Sequence, residues 1–254
     1  MRAIHTLGLL VCLTLCGCLE LEQKITLKPD GSGTQEISMA MQESLLQELK
    51  LQQAAVSLGT PGDPTAVFSE DKVRAELEAA GLELTAHEVE RVQTRRSVAL
   101  TASFGDFEGL RRSPLCGSAA EWELAPGPRP GLAKLTFYLQ GKAAWQQARQ
   151  KAAQMKGELD PVLASYFQKS VAKLRGLDVA FRFALPGDVQ LWTRNMEKVS
   201  DREVVARVTS AQIKTPQDLV RRLAPRYVVV FDASGTTLLA PAATPAGDQP
   251  TPVR

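Results

Sequence analysis

The sequence is poor in the residues on which most enzyme chemistry depends. It holds two histidines and four cysteines in 254 residues, and aromatic residues make up only 6%. His5 lies in an N-terminal leader, so His87 is the one histidine of the remaining chain. A Ser–His–Asp set needs a histidine base, which makes His87 its sole candidate. It stands in Ala86-His87-Glu88 on an expected strand, with no nucleophile signature beside it and no G-x-S-x-G motif in the chain. A strand histidine without a catalytic role is expected. Cys12 and Cys16 also fall in the leader and Cys18 at its end. Cys116 is then the one thiol left, and an internal disulfide is excluded. A Cys116–His87 dyad is the remaining nucleophilic option, but the loop Pro114-Leu115-Cys116-Gly117 carries no pattern for it. Cys116 is expected to be an unpaired structural thiol, with an intermolecular bridge as the alternative.

Other chemistries are missing for similar reasons. One histidine and one cysteine cannot build a zinc site without carboxylates, and no paired ligand spacing occurs. The turn Asp30-Gly31-Ser32-Gly33 lacks the ligand series and terminal Glu of a calcium loop, and the Lys of a phosphate loop. No metal, no cofactor and no enzymatic activity are expected. Nor is one sign of charge in excess: 30 Lys and Arg stand against 28 Asp and Glu. That balance gives no support for nucleic-acid binding, which needs a dominant basic surface.

The clearest positive signal is at the start. Arg2 supplies a basic n-region, and Leu9-Leu10-Val11-Cys12-Leu13-Thr14-Leu15 is an apolar run too short to span a bilayer. Its length suits the h-region of a signal peptide. Leu15-Cys16-Gly17-Cys18 follows and resembles the lipobox of bacterial lipoproteins, with Leu at −3, Gly at −1 and the acceptor Cys at +1. Cys16 departs from the Ala, Ser or Thr usual at −2. Residues 1–17 are thus expected to be a lipoprotein signal peptide, and Cys18 the lipidated N-terminus of the mature chain. Acylation at Cys18, palmitate-like chains included, would hold the protein on a membrane, each buried CH₂ contributing about 0.8 kcal/mol. Leu19, rather than Asp, follows the cysteine. In a Gram-negative cell that corresponds to the outer membrane, facing the periplasm.

The mature chain reads as one α+β domain over 18–232, with a disordered Ala/Pro-rich tail over 233–254. Its expected sheet is mostly antiparallel, with inserted helices. Leu19, Leu21, Ile25 and Leu27 alternate with Glu20, Glu22, Lys24, Thr26 and Lys28, a half-buried strand in which Gln23 is the exception. The Lys28–Gly33 turn leads to a second strand with Ile37, Met39 and Met41 on one face. Because the strand pattern starts at Leu19, little tether is left and the domain is expected close to the membrane. A helix is expected over 43–58 and another after Ser69, with Val73, Leu77 and Ala80 inward and Gly81 at its end. Strands are expected at 82–91 and 95–104, a short helical turn through Leu110, and a loop at 113–120. Strands near 121–124 and 131–139 flank Pro126-Gly127-Pro128-Arg129-Pro130, which cannot join a regular ladder. Two helices carry stripes at Trp145, Ala148, Ala152, Met155 and at Leu163, Tyr166, Phe167, Val171, Leu174. Gly157 and Gly176 end them, with Asp160 and Pro161 opening the second. Strands over 177–185, 202–209 and 227–231, and a short helix opened by Thr215-Pro216-Gln217-Asp218, complete the pattern.

Several segments in this order are similar to the LppM-type bacterial envelope lipoproteins. They are a lipidated cysteine running into a strand, then Lys28-Pro29-Asp30-Gly31-Ser32-Gly33-Thr34, then Phe104-Gly105-Asp106-Phe107-Glu108-Gly109-Leu110, then Phe183-Ala184-Leu185-Pro186-Gly187-Asp188-Val189. The resemblance spans much of 18–232 and implies an envelope protein that binds lipid. It brings no catalytic residues. Members of that family type often carry a C-terminal transmembrane helix, whereas this sequence ends in a polar tail.

Charge is uneven along the chain. Residues 140–176 carry Lys142, Arg149, Lys151, Lys156, Lys169, Lys173 and Arg175 against Glu158 and Asp160, while 67–90 is acidic. The basic arm is able to face anionic headgroups, but two solvated helix faces that offset each other are the preferred reading. The Trp145–Phe167 stripes are expected to be core rather than ligand cavity. The functional expectation is a membrane-anchored, non-enzymatic cell-envelope lipoprotein that binds a lipid or apolar ligand. A structural or assembly factor that binds another envelope protein is the alternative.

Overall fold

The computed structural model describes residues 19–47, 65–155 and 161–239. Cys18 and the leader lie outside these residues. So do the loop 59–64, Gly157, Asp160 and the side chains of Leu163 and Tyr166.

The leading alternation folds as expected. β1 (Glu20–Leu27) and β2 (Gly33–Gln42) form an antiparallel hairpin, with Leu27 opposite Gly33. Its turn is closed by Asp30, whose Oδ1 accepts from the Ser32 N–H at 3.0 Å and the Ser32 hydroxyl at 2.7 Å. Gly33 is required by a close approach: an added Cβ would run into the Thr26 carbonyl and the Phe104 ring. Gly187 has the same role against the Asp232 carbonyl. Two of the turn signatures quoted above thus mark points where backbone meets backbone.

Residues 43–47 are helical, and the rest of the helix expected to 58 lies outside the described residues. α1 (Glu70–Ala79) follows Ser69 and turns Val73 and Leu77 inward. Ser69 stands at the N-cap position without a side-chain hydrogen bond. β3 (Glu83–Val92) and β4 (Arg95–Phe104) form the next hairpin. α2 (Phe107–Arg112) is capped by Asp106, which accepts from the Gly109 N–H at 2.7 Å. β5 (Glu121–Pro126) and β6 (Leu132–Tyr138) come next, then α3 (Gly141–Gln154), α4 (Pro161–Lys173) and β7 (Asp178–Ala184). The chain continues through β8 (Val189–Trp192), β9 (Glu197–Ser200), β10 (Glu203–Thr209), α5 (Pro216–Leu223) and β11 (Arg226–Asp232).

The class is α+β and mostly antiparallel, with one parallel pair between β1 and β7. Where one sheet was expected, two form. The larger has the order β3-β4-β2-β1-β7-β10-β9 and the smaller β5-β6-β11-β8. Alternation in sequence tells which side of a strand faces the core, not which sheet the strand joins. β8 and β9 were not expected, because both are short and mostly exposed and leave no alternation to read. Pro126 does enter a ladder, opposite Ala133, but on an edge strand where its missing N–H costs nothing. α3 ends at Gln154, before the Gly157 expected to stop it. The folded part also outlasts residue 232. Ala233 is buried and donates its N–H to the Gly131 carbonyl at 2.7 Å. The Thr237 N–H reaches the Pro29 carbonyl at 2.9 Å, and Leu238 and Leu239 pack on the core.

The two sheets meet through aromatic rings. Trp122 of β5, Phe137 of β6 and Tyr227 of β11 face Phe181 and Phe183 of β7. A second, smaller cluster joins Leu174, Leu177 and Ile213 to Leu19, Phe167, Val171 and Leu219. It ties the first described residue to α4 and α5.

Candidate functional site

His87 is half-buried on β3, and its Nε2 lies 2.9 Å from the Val67 carbonyl. That contact fastens the strand to the turn before α1. Cys116 serves a different part of the core. It sits in a short 3-10 turn, Pro114–Cys116, in which the Leu115 N–H donates to the Ser113 hydroxyl oxygen at 3.3 Å. The Cys116 sulfur accepts from the Gln23 amide at 3.3 Å and from the Gln35 amide at 3.0 Å. Gln35 in turn accepts from the Ser113 hydroxyl at 2.5 Å. Among the described residues His87 and Cys116 form no hydrogen bond with each other: His87 is held by the Val67 carbonyl and Cys116 by the Gln23 and Gln35 amides.

Burial pushes the Cys116 thiol up to about 12, and the Gln23 and Gln35 amides only partly oppose it. The thiol is therefore neutral and enclosed, a poor nucleophile and unavailable for an intermolecular bridge. Cys116 is expected to resist a maleimide at pH 8 for as long as the fold persists, and to label rapidly in urea, as read by peptide mass spectrometry. Rapid native labelling would contradict the burial. The sign of the pH effect follows. An unfolded thiol ionises near its ordinary value of about 8.5, whereas the folded one holds its proton to about 12. This contribution to stability is complete below the unfolded value and is lost as pH rises toward the folded one.

The Trp145 stripe departs from its expected role as core. Trp145 is half-buried and forms a wall of an open cleft of about 350 Å³ between α3, α5 and the start of β11. Trp145 and Arg149 are one turn apart on α3 and share its face. The Arg226 guanidinium lies 4.2 Å from the Trp145 ring centre and that of Arg149 5.8 Å. α5 contributes Arg221 and Arg222 in its last turn, where the helix dipole favours cations. Its start is fixed by a reciprocal cap: the Asp218 N–H donates to Thr215 Oγ1 at 3.1 Å, and the Thr215 N–H donates to the Asp218 carboxylate at 3.0 Å. Burial works to raise the Asp218 carboxyl, but the Thr215 and Lys214 hydrogen bonds and nearby Arg222 hold it below its ordinary value.

The charges lining this cleft are unevenly matched. Arg207 is paired with Asp178. Arg182, in an adjoining cleft that shares Arg207 and Arg222, is paired with Glu22 and with Glu203 at 3.1 Å. Among the described residues, Arg149, Arg221, Arg222 and Arg226 form no ion pair. Arg222 Nε and the Tyr227 hydroxyl are buried without a hydrogen-bond partner. Burial also raises the Tyr227 phenol well above its ordinary value, so it stays a donor.

The cleft lies toward the Leu19 end of the molecule. The Leu19 carbonyl accepts from the Asp178 N–H at 2.9 Å, and Leu19 packs in the same cluster as Leu219 of α5. In register, Arg207 faces Ala180, which faces Glu22, three residues beyond Leu19. At about 3.3 Å per residue the lining reaches within roughly 10 Å of Leu19 along the strand direction.

Of the residues expected to carry function, Cys18 is outside the described residues, and His87 and Cys116 are occupied structurally. Among the described residues of the basic arm, Arg149 alone lines the cleft, while Lys142 is paired with Glu123 at 2.7 Å. Arg221, Arg222 and Arg226 were not singled out from sequence. Their signal was present as three arginines at the end of a capped helix, Arg221-Arg222-Leu223-Ala224-Pro225-Arg226. Among the described residues, no group of three His, Cys, Asp or Glu side chains is placed to hold a metal, and no helix is long and apolar enough to cross a membrane.

The molecule is thus a two-sheet α+β protein with a cationic cleft. No protein-family model matches the chain, and no curated protein matches it. Among solved structures it is similar to the NMR structure of the folded domain of LppM from Mycobacterium tuberculosis. The identity is 13%, over 84% of this chain and 89% of that one, with a TM-score of 0.41.

Proposed function

We propose that this chain is an exported bacterial lipoprotein, anchored in the cell envelope through acyl chains on Cys18, whose domain binds a lipid ligand at the membrane surface without catalysis. The observation that carries this reading is Leu15-Cys16-Gly17-Cys18 behind a short apolar run, with β1 starting at Glu20, two residues after the acceptor cysteine. Such a tether gives the domain little reach from the bilayer. Leu19 in the position after the cysteine supports the outer membrane, periplasmic side, in a Gram-negative cell. The cleft is lined by Arg149, Arg221, Arg222 and Arg226 and lies toward Leu19, which suits a headgroup better than a free hydrocarbon. A non-enzymatic role is supported by the structural duties of His87 and Cys116.

The test is membrane fractionation. Wild-type chain should incorporate labelled palmitate and sediment with membranes, and Cys18→Ser should lose both. Sedimentation and labelling that survive the substitution would overturn the anchor.

A second reading, as an assembly factor for another envelope protein, is favoured by one observation. The edge strands β8 and β9 expose Leu191 (56%), Trp192 (41%) and Val199 (52%). Open edges with apolar side chains are surfaces to which another chain can add. A photo-cross-linker at Trp192 that traps one specific envelope protein would favour it.

A further inference from the structure

We propose that the cleft formed by Arg149, Arg221, Arg222 and Arg226 is a binding site for a phosphoryl group. The inference deepens the ligand reading above and rests on it for the cleft's place at the membrane, not for its chemistry.

Four guanidiniums that form no ion pair among the described residues converge on one concavity whose one carboxylate, Asp218, is held by N–H groups at the start of its helix, and like charges in a partly desolvated site repel one another unless an anion joins them. The Nε of one of them, Arg222, and the hydroxyl of Tyr227 are buried with nothing to donate to. Buried donors are almost always satisfied, so a pair left open on one wall points to an acceptor that binds there. The acceptor needs several oxygens. A carboxylate offers two, whereas a terminal phosphoryl group offers three and carries up to two charges. Arginine forks match it with paired hydrogen bonds.

The neighbouring residues sharpen the choice. Arg226 lies over the Trp145 ring, so that ring holds a guanidinium in place and is not free to stack a nucleobase. Arg207 and Arg182 are already committed to Asp178 and to Glu22 and Glu203, so they frame the site without adding net charge. Asp218, the one carboxylate in the lining, accepts from the Lys214 and Thr215 N–H groups and is turned to the start of its helix. A cleft of about 350 Å³ has room for one phosphorylated headgroup.

A phosphoryl group of this kind occurs on a phospholipid headgroup or on a soluble phosphate ester, and titration calorimetry separates the two. The full chain, in a neutral detergent, is titrated with phosphatidic acid dispersed in that detergent, with phosphatidylcholine as the control for acyl-chain insertion, and with inorganic pyrophosphate. Phosphatidic acid is expected to bind and phosphatidylcholine not. Arg222→Gln and Arg226→Gln should each weaken binding by about tenfold. Arg149→Gln should weaken it less, and because Arg149 is exposed on its helix this variant keeps the fold. Lys134→Gln, on the outer side of β6, should leave it unchanged. If pyrophosphate binds with the same dependence on Arg222 and phosphatidic acid does not, the site stands, its ligand is a soluble ester, and the lipid reading fails by itself. If neither phosphatidic acid nor pyrophosphate binds, or if the three cleft variants bind like wild type, the site is overturned.

Discussion

Replacing Phe137 by alanine is expected to lower the free energy of unfolding by about 4 kcal/mol. The ring is 1% exposed and stands where the two sheets meet. It stacks on Trp122 with centres 4.1 Å apart and meets Phe181, Phe183 and Tyr227 at 5.6, 6.1 and 6.1 Å. Alanine removes a ring that touches two rings of its own sheet and two of the facing one. The neighbouring strands are held in their ladders and cannot close the space, so a cavity term adds to the lost transfer free energy. A domain of this size has roughly 5–15 kcal/mol in total, so urea unfolding should show a large fall in midpoint with an unchanged slope. A loss under about 1 kcal/mol would mean that the sheets do not pack through this ring.

Gln35→Leu is expected to cost about 2–3 kcal/mol although it adds apolar surface to the core. Gln35 is fully buried, accepting from the Ser113 hydroxyl and donating to Cys116 Sγ. Leucine fits the volume, but it strands the Ser113 hydroxyl and leaves the sulfur with Gln23 alone. A second substitution separates this cause from packing. Removing the hydroxyl as well, in Gln35→Leu with Ser113→Ala, should cost clearly less than the two single changes added together, because the Ser113–Gln35 bond is then lost only once and no hydroxyl proton is stranded, while the Leu115 N–H loses its Ser113 acceptor in the Ser113→Ala single and the double variant alike. Additive losses, measured by the same urea titration, would contradict the hydrogen-bond account.

These two residues also mark the limit of what the sequence discloses. The strands and their inward faces were legible, because a half-buried strand writes its orientation as alternation. Ile25, Leu27, Ile37 and Met41 all face the core as that pattern predicts. Gln23 was the polar exception on that inward face. It is 2% exposed and lies inward, because its amide donates to a sulfur 93 residues away. A local pattern cannot hold that partner. Cys116 was recognised as the lone thiol and expected to be structural, yet nothing in its loop named its partners. Its burial comes from strands β1 and β2, which the loop covers. The division into two sheets was invisible for the same reason, and β8 and β9 are too exposed to announce themselves.

The cleft was half legible. Arg149 was noted within a basic arm that turned out to be largely solvated or paired. Arg221, Arg222 and Arg226 sit about 75 residues further on. What makes them a site is convergence around Trp145 and the lack of ion pairs among them, and both are properties of the fold. Trp145 itself was read as core, because its spacing with Ala148 and Ala152 is that of a buried stripe. Of these, Ala152 is buried while Trp145 and Ala148 line the opening.

The most direct measurement is mass spectrometry of what leaves the membrane with the protein. Wild-type chain, extracted from its native membrane in mild detergent and washed, should carry a phosphate-bearing lipid at about one per protein. The Arg222→Gln, Arg226→Gln double variant, equally anchored through Cys18, should carry far less. Recovery of no such lipid with the wild type, or of the same amount with the double variant, would contradict the account.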